Sequence, residues 1–163
     1  MVTIRDLLQN ELIIEEIAAT DKAGVLREFA RLLRATGRVQ KEEELVRVLS
    51  ERESLGSTGI GNGVAIPHGK LHNIPEMIMA FGRSSRGVEY QSLDAQPAHL
   101  FFLLVTPDDQ PGDHLKALAR ISRILKNPVL REGLMRASQR QELQRLIYEE
   151  DGKYPGPLSV REN

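Results

Sequence analysis

Cysteine is absent from the 163 residues, which excludes disulfides, thiolate nucleophiles and zinc–thiolate sites. The absence fits a reducing compartment, so a cytoplasmic location is expected. An excess of charge of either sign is also lacking. Lys and Arg number 22 against 23 Asp and Glu, a net charge of -1, and neither nucleic acid nor an anionic membrane is expected as the main partner. No apolar run approaches the roughly 20 residues that cross a bilayer. The longest lies near Leu100–Val105, and direct membrane insertion is not expected. The opening Met-Val-Thr-Ile-Arg-Asp lacks the basic-then-apolar layout of a secretory signal. Internal repeats and low-complexity blocks are missing too. What remains is 40% hydrophobic and 28% charged, ordinary for one globular domain with a substantial core.

The first third reads as helical. Asp21 can cap a segment in which Val25, Leu26, Phe29, Leu32 and Leu33 recur at helical spacing, with Gly37 as its stop. A second helix is expected from about Gln40 to Arg52, with the stripe Leu45, Val48 and Leu49. Arg52 takes the next place in that stripe, where an arginine either buries its stem and wets its head or serves a site. Gly56, Gly59, Gly61 and Gly63 then break the pattern, and Val64–Ala65–Ile66 is a short strand ending at Pro67. Three more strands are expected at Met77–Phe81, Gly87–Tyr90 and His99–Thr106, the last central in a sheet. After a loop at Pro107–Pro111, helical spacing returns with Leu115, Leu118, Ile121 and Leu125. Asn127-Pro128 opens a further helix, and Ser138 with Gln141 has the capping-box pattern for a last one. The sum is helices before and after a small sheet, one α/β or α+β domain, with a flexible tail expected beyond Asp151.

The glycine-rich stretch has neither a Gly-Lys-Ser/Thr ending nor a G-x-G-x-x-G spacing, so no nucleotide cofactor is expected. Its glycines let the backbone turn tightly and leave N–H groups accessible beside the next segment of chain. That segment is Ala65-Ile66-Pro67-His68-Gly69-Lys70. A histidine straight after a strand, between a proline and a glycine, projects at the sheet edge. Imidazole, with an ordinary pKa of about 6.5, is substantially a neutral nucleophile near pH 7 and can attack phosphorus. His114 precedes Leu118, Ile121 and Leu125 at i+4, i+7 and i+11, so it shares the inward face of its helix. In the first turn the helix dipole opposes its protonation. Two further readings stand beside this one: a core-edge histidine for His114, and a metal site from His68, His72, His99 and His114. Pro67 and Gly69 speak against a helix that would place His68 and His72 together on one metal.

The run Arg52-Glu53-Ser54-Leu55-Gly56-Ser57-Thr58-Gly59-Ile60-Gly61-Asn62-Gly63-Val64-Ala65-Ile66-Pro67-His68-Gly69-Lys70 closely resembles the active-site signature of the fructose/mannitol-type EIIA domains of the bacterial phosphotransferase system. The likeness is strongest to the stand-alone, nitrogen-related IIA-Ntr branch. It extends from about Thr3 to Glu150 and includes Asp109-Gln110-Pro111-Gly112-Asp113-His114-Leu115. The resemblance implies a single α/β domain over residues 1–150, a small mixed sheet flanked by helices, with 151–163 as a flexible tail. It also implies that His68 takes phosphate from an HPr-like carrier, NPr in the nitrogen branch. It implies Arg52 as the active-site arginine, His114 as the second histidine, and Ser57 and Thr58 as loop residues near the phosphate. No metal or other cofactor is implied. Phosphate then passes to an EIIB domain in sugar uptake, or the phosphorylated surface binds regulated target proteins. The stand-alone length favours regulation.

Overall fold

The computed structural model describes residues 3–156. The chain runs α1 (Ile4–Leu7), a 3-10 turn (Asn10–Leu12), β1 (Ile13–Ile14), α2 (Lys22–Ala35), α3 (Glu42–Ser54), β2 (Gly59–Gly61), β3 (Val64–Ala65), β4 (His68–Leu71), β5 (Ile78–Val88), β6 (Ala98–Pro107), α4 (Pro111–Ile124), α5 (Pro128–Arg136) and α6 (Arg140–Asp151). The six strands form one mixed sheet in the order β1-β5-β6-β3-β2, with β4 also on β6. No helix among the described residues is long and apolar enough to cross a membrane.

The strand β6 organises the molecule. Leu100, Phe102 and Leu104 enter one apolar cluster with residues of α1, α4, α5 and α6. Phe101, Leu103 and Val105 enter a second cluster with residues of α2 and α3. Strand alternation thus sends side chains into helix layers on both faces, and each buried Leu or Phe adds about 2 kcal/mol of transfer free energy. The central position expected for His99–Thr106 is met. Strands β3 and β4 lie one after the other along β6, both parallel to it, with Val64 opposite Leu100 and His68 opposite Leu104. Pro67 sits between them and has no N–H to donate. A continuous stretch is therefore divided, and His68 opens the second piece rather than a loop.

Several local expectations change. Asp21 caps α2 by accepting from the Gly24 N–H, and Asn127 caps α5 by accepting from Val129. The four glycines do more than interrupt. Asn62 and Gly63, at φ 57° and 75°, form the two-residue turn of a hairpin between β2 and β3. Gly87–Tyr90 is no separate strand, because β5 runs unbroken to Val88. Leu115, expected on the inward face of α4, is 68% exposed, and Ala117 and Ile124 are buried instead. The capping box at Ser138 does not form: α6 starts two residues later, and Glu142 accepts from the Ser138 N–H. Of residues 151–163, those to 156 pack on the body. Arg120 pairs with Asp151 and donates to the carbonyls of Pro155 and Gly156, and Arg123 lies over the Tyr154 ring. The remaining residues, 157–163, lie outside the described part.

Candidate functional site

His68 opens the edge strand β4, and its neighbours fix its chemistry. Its Nδ1 lies 2.7 Å from the Ile66 carbonyl oxygen, and its Nε2 lies 3.2 Å from Arg52 Nε. A carbonyl only accepts and a guanidinium only donates. The Nδ1 therefore carries the proton, and Nε2 presents a lone pair. Burial pushes the His68 pKa below its ordinary value. The Ile66 carbonyl works against that shift, and the Arg52 charge adds to it. His68 is a neutral base at neutral pH.

Arg52 comes from the last turn of α3, on the other side of the sheet. Its reach depends on Gly69, whose missing Cβ would stand 2.6 Å from Val48 Cγ1. A side chain there would have to displace Val48, so glycine lets α3 settle directly on β4. Arg52, one turn beyond Val48, then passes round the sheet edge to His68. Its Nη1 also donates to the Gly56 carbonyl at 3.0 Å, closing the helix end.

From the opposite layer α4 supplies His114, which is 5% exposed. The two imidazole centroids are 5.4 Å apart. His114 Nδ1 and Thr106 Oγ1 are hydrogen-bonded at 2.5 Å. The His114 pKa falls to about 4, first through burial and then through the His68, Lys70 and Arg52 charges. The neutral ring expected from the helix dipole is present, with burial as its leading cause. Lys70 shares the His68 face of β4, two residues on. These side chains line an open depression of about 640 Å³ rimmed by Leu55, Leu115 and Leu118.

Ser57 and Thr58 have their hydroxyls engaged elsewhere. Ser57 donates to the Tyr90 carbonyl and accepts from the Gly59 N–H and Lys22 Nζ. Thr58 is buried, and its hydroxyl bonds Glu53 and Tyr90. Several amides of the glycine stretch are bonded as well, Gly56 to the Glu53 carbonyl, Gly59 to Ser57 Oγ and Asn62 to Asp94.

Behind the loop lies a cluster that sequence reasoning missed. The buried Glu53 carboxylate meets Lys22 Nζ at 2.9 Å, the Tyr90 hydroxyl at 3.0 Å and the Thr58 amide at 3.1 Å. Burial acts to raise its pKa, and the bonds from Thr58 and Lys22 outweigh that, leaving it below the usual value. No sequence signal beyond its place next to Arg52 marked Glu53, because Lys22 and Tyr90 are distant in the chain. The other histidines stand apart: His72 pairs with Asp108, and His99 bonds the Ser84 carbonyl. No group of three or more His, Cys, Asp or Glu side chains able to hold a metal occurs among the described residues.

A neutral histidine with an available lone pair, faced by a guanidinium and a second neutral imidazole, can accept an anionic electrophile without a metal. Residues 6–150 match the family "Phosphoenolpyruvate-dependent sugar phosphotransferase system, EIIA 2", and the chain belongs to it. It is thus an EIIA-type phosphoryl carrier. The chain is 42% identical over 125 residues to a nitrogen regulatory protein of Bradyrhizobium diazoefficiens, covering 76% of this chain and 80% of that one. It is 36% identical over 148 residues to the fructose-specific EIIABC component of Bacillus subtilis, covering 91% of this chain but only 23% of that protein. The crystal structure of nitrogen regulatory protein IIA-Ntr from Neisseria meningitidis superposes with a TM-score of 0.83 at 30% identity, covering 88% of this chain and 98% of that one.

Proposed function

We propose that His68 is the phosphorylated residue and that its Nε2 is the acceptor atom, with an HPr-like phosphocarrier as donor. The observation that carries this reading is the Nδ1–H bond to the Ile66 carbonyl, which leaves the Nε2 lone pair beside Arg52. In the transfer, the phosphorus–nitrogen bond on the donor breaks as the bond to Nε2 forms, and the donor nitrogen leaves with the electron pair. The proton on Nδ1 stays in place, and the Ile66 carbonyl stabilises the positive charge that develops on the ring. Arg52 turns its N–H groups from Nε2 to the phosphoryl oxygens, and His114 adds one neutral donor. Positioning and charge neutralisation do the work, as phosphoryl transfer requires. Ser57 and Thr58 shape the loop, with their hydroxyls held by Tyr90 and Glu53.

The role assigned on this basis is regulation by phosphorylation-dependent protein binding. The support is the identity to the Bradyrhizobium protein and the close superposition on the Neisseria one. Delivery to an EIIB domain is the second reading, favoured by the likeness to the Bacillus EIIABC component. The test is incubation with phosphorylated carrier. His68→Ala should take up no label. Arg52→Ala should fold normally and be labelled about a hundred- to a thousandfold more slowly. Label on the His68→Ala protein would refute the assignment.

A further inference from the structure

The Nδ1 of His68 faces an acceptor, but the Nδ1 of His114 faces a hydroxyl, which can act either way. Bonding needs decide between the two arrangements. Thr106 is fully buried in β6, and its Oγ1 has no bond among the described residues except that to His114 Nδ1. If Nδ1 carried the ring proton, the hydroxyl would accept it. Its own proton would then be buried without an acceptor, an arrangement native proteins avoid because the full desolvation penalty falls on it. If the hydroxyl donates, both groups are satisfied. The Nε2 of His114 has no protein partner among the described residues, and it is not among the sealed-in polar atoms. It is left to the depression that His68 and Arg52 also line.

We infer that Thr106 is a positioning residue for phosphoryl transfer: by donating to His114 Nδ1 it keeps the ring's one proton on Nε2, turned to where the phosphoryl oxygens arrive. The alternative tautomer would present a lone pair to those oxygens and repel them. The register places the hydroxyl for this task. Thr106 lies opposite Lys70 and so shares a sheet face with His68 and Lys70, the face that α4 covers. The two histidines are thereby held in opposite tautomers, one by a carbonyl and the other by a hydroxyl. The inference rests on the reading of His114 as a donor to the phosphoryl group.

Protein with 15N-labelled histidine provides the test, because long-range imidazole NMR correlations read the tautomer directly. The wild type should show His114 protonated on Nε2. Thr106→Val keeps the branched shape but removes the donor; it should populate the Nδ1–H form and slow transfer from phosphorylated carrier about ten- to a hundredfold. Thr106→Ser should restore the wild-type tautomer and most of the rate. An Nδ1–H ring in the wild type, or a Val variant labelled at the wild-type rate, would overturn the inference. The wild-type spectrum and the Ser variant decide the matter even if the Val variant folds poorly. Label on His68→Ala would count against the proposed acceptor instead, without touching the tautomer result.

Discussion

The pair of imidazoles at the sheet edge combines two demands, because a ring kept neutral by burial is useful chemistry and a cost to folding in acid. The folded pKa of His114 is about 4 against an ordinary 6.5. Between those values the unfolded chain binds a proton that the folded chain refuses. Stability from this source is complete above about pH 6.5 and is lost progressively as the pH falls toward 4. His68 is shifted in the same direction and steepens the loss. Calorimetric melting between pH 7 and pH 5 should therefore show a falling midpoint, with a shallower fall in His114→Gln. Parallel slopes for the two proteins would contradict the burial argument. His114 was legible in the sequence, since i+4, i+7 and i+11 spacing put it on the inward face of α4. The partner on its Nδ1 was not, because the pairing of Thr106 with it depends on how α4 lies over β6.

At the scale of elements, the last turn of α3 carries adjacent residues with separate tasks: Arg52 reaches His68, and Glu53 plunges into the cluster with Lys22, Thr58 and Tyr90. Glu53→Gln removes the charge that offsets Lys22 in a nearly closed space. It should cost about 2–3 kcal/mol, read as a lower midpoint in urea unfolding. An unchanged midpoint would mean that the ion pair contributes nothing net. Arg52→Ala, on the exposed side of the same turn, should leave that midpoint in place. Helices α2, α3 and α5 were plain from their stripes and from caps such as Asp21 and Asn127. Strands β2 and β4 were not, because Gly59, Gly61, Pro67 and Gly69 count as breakers on local propensity. Only pairing with β3 and β6 makes them strands, and pairing is a property of distant sequence. The shortened start of α6 has the same origin: Ser138 has the right residue type, but its helix begins at Arg140.

For the molecule as a whole, phosphorylation of His68 would add about two negative charges to a chain whose net charge is -1. The change falls in a depression rimmed by Leu55 and Leu115, 83% and 68% exposed. Protein immobilised in the phosphorylated and unphosphorylated states should retain different partners from a lysate. Identical sets would argue against regulation, and rapid passage of label to an EIIB domain would favour the transport reading. A small sheet between helices could be read from periodicity and its mixed kind from the resemblance, but its two separate cores could not. Those cores have a consequence for the site. Arg52 arrives with the layer of α2 and α3, His114 with the layer of α4 to α6, and His68 lies on the seam between them. A chain in which either layer has melted would lose one wall of the proposed site and should take up phosphate far more slowly. On the proposed mechanism, uptake of label would therefore report that both helix layers are folded as well as that the carrier is charged.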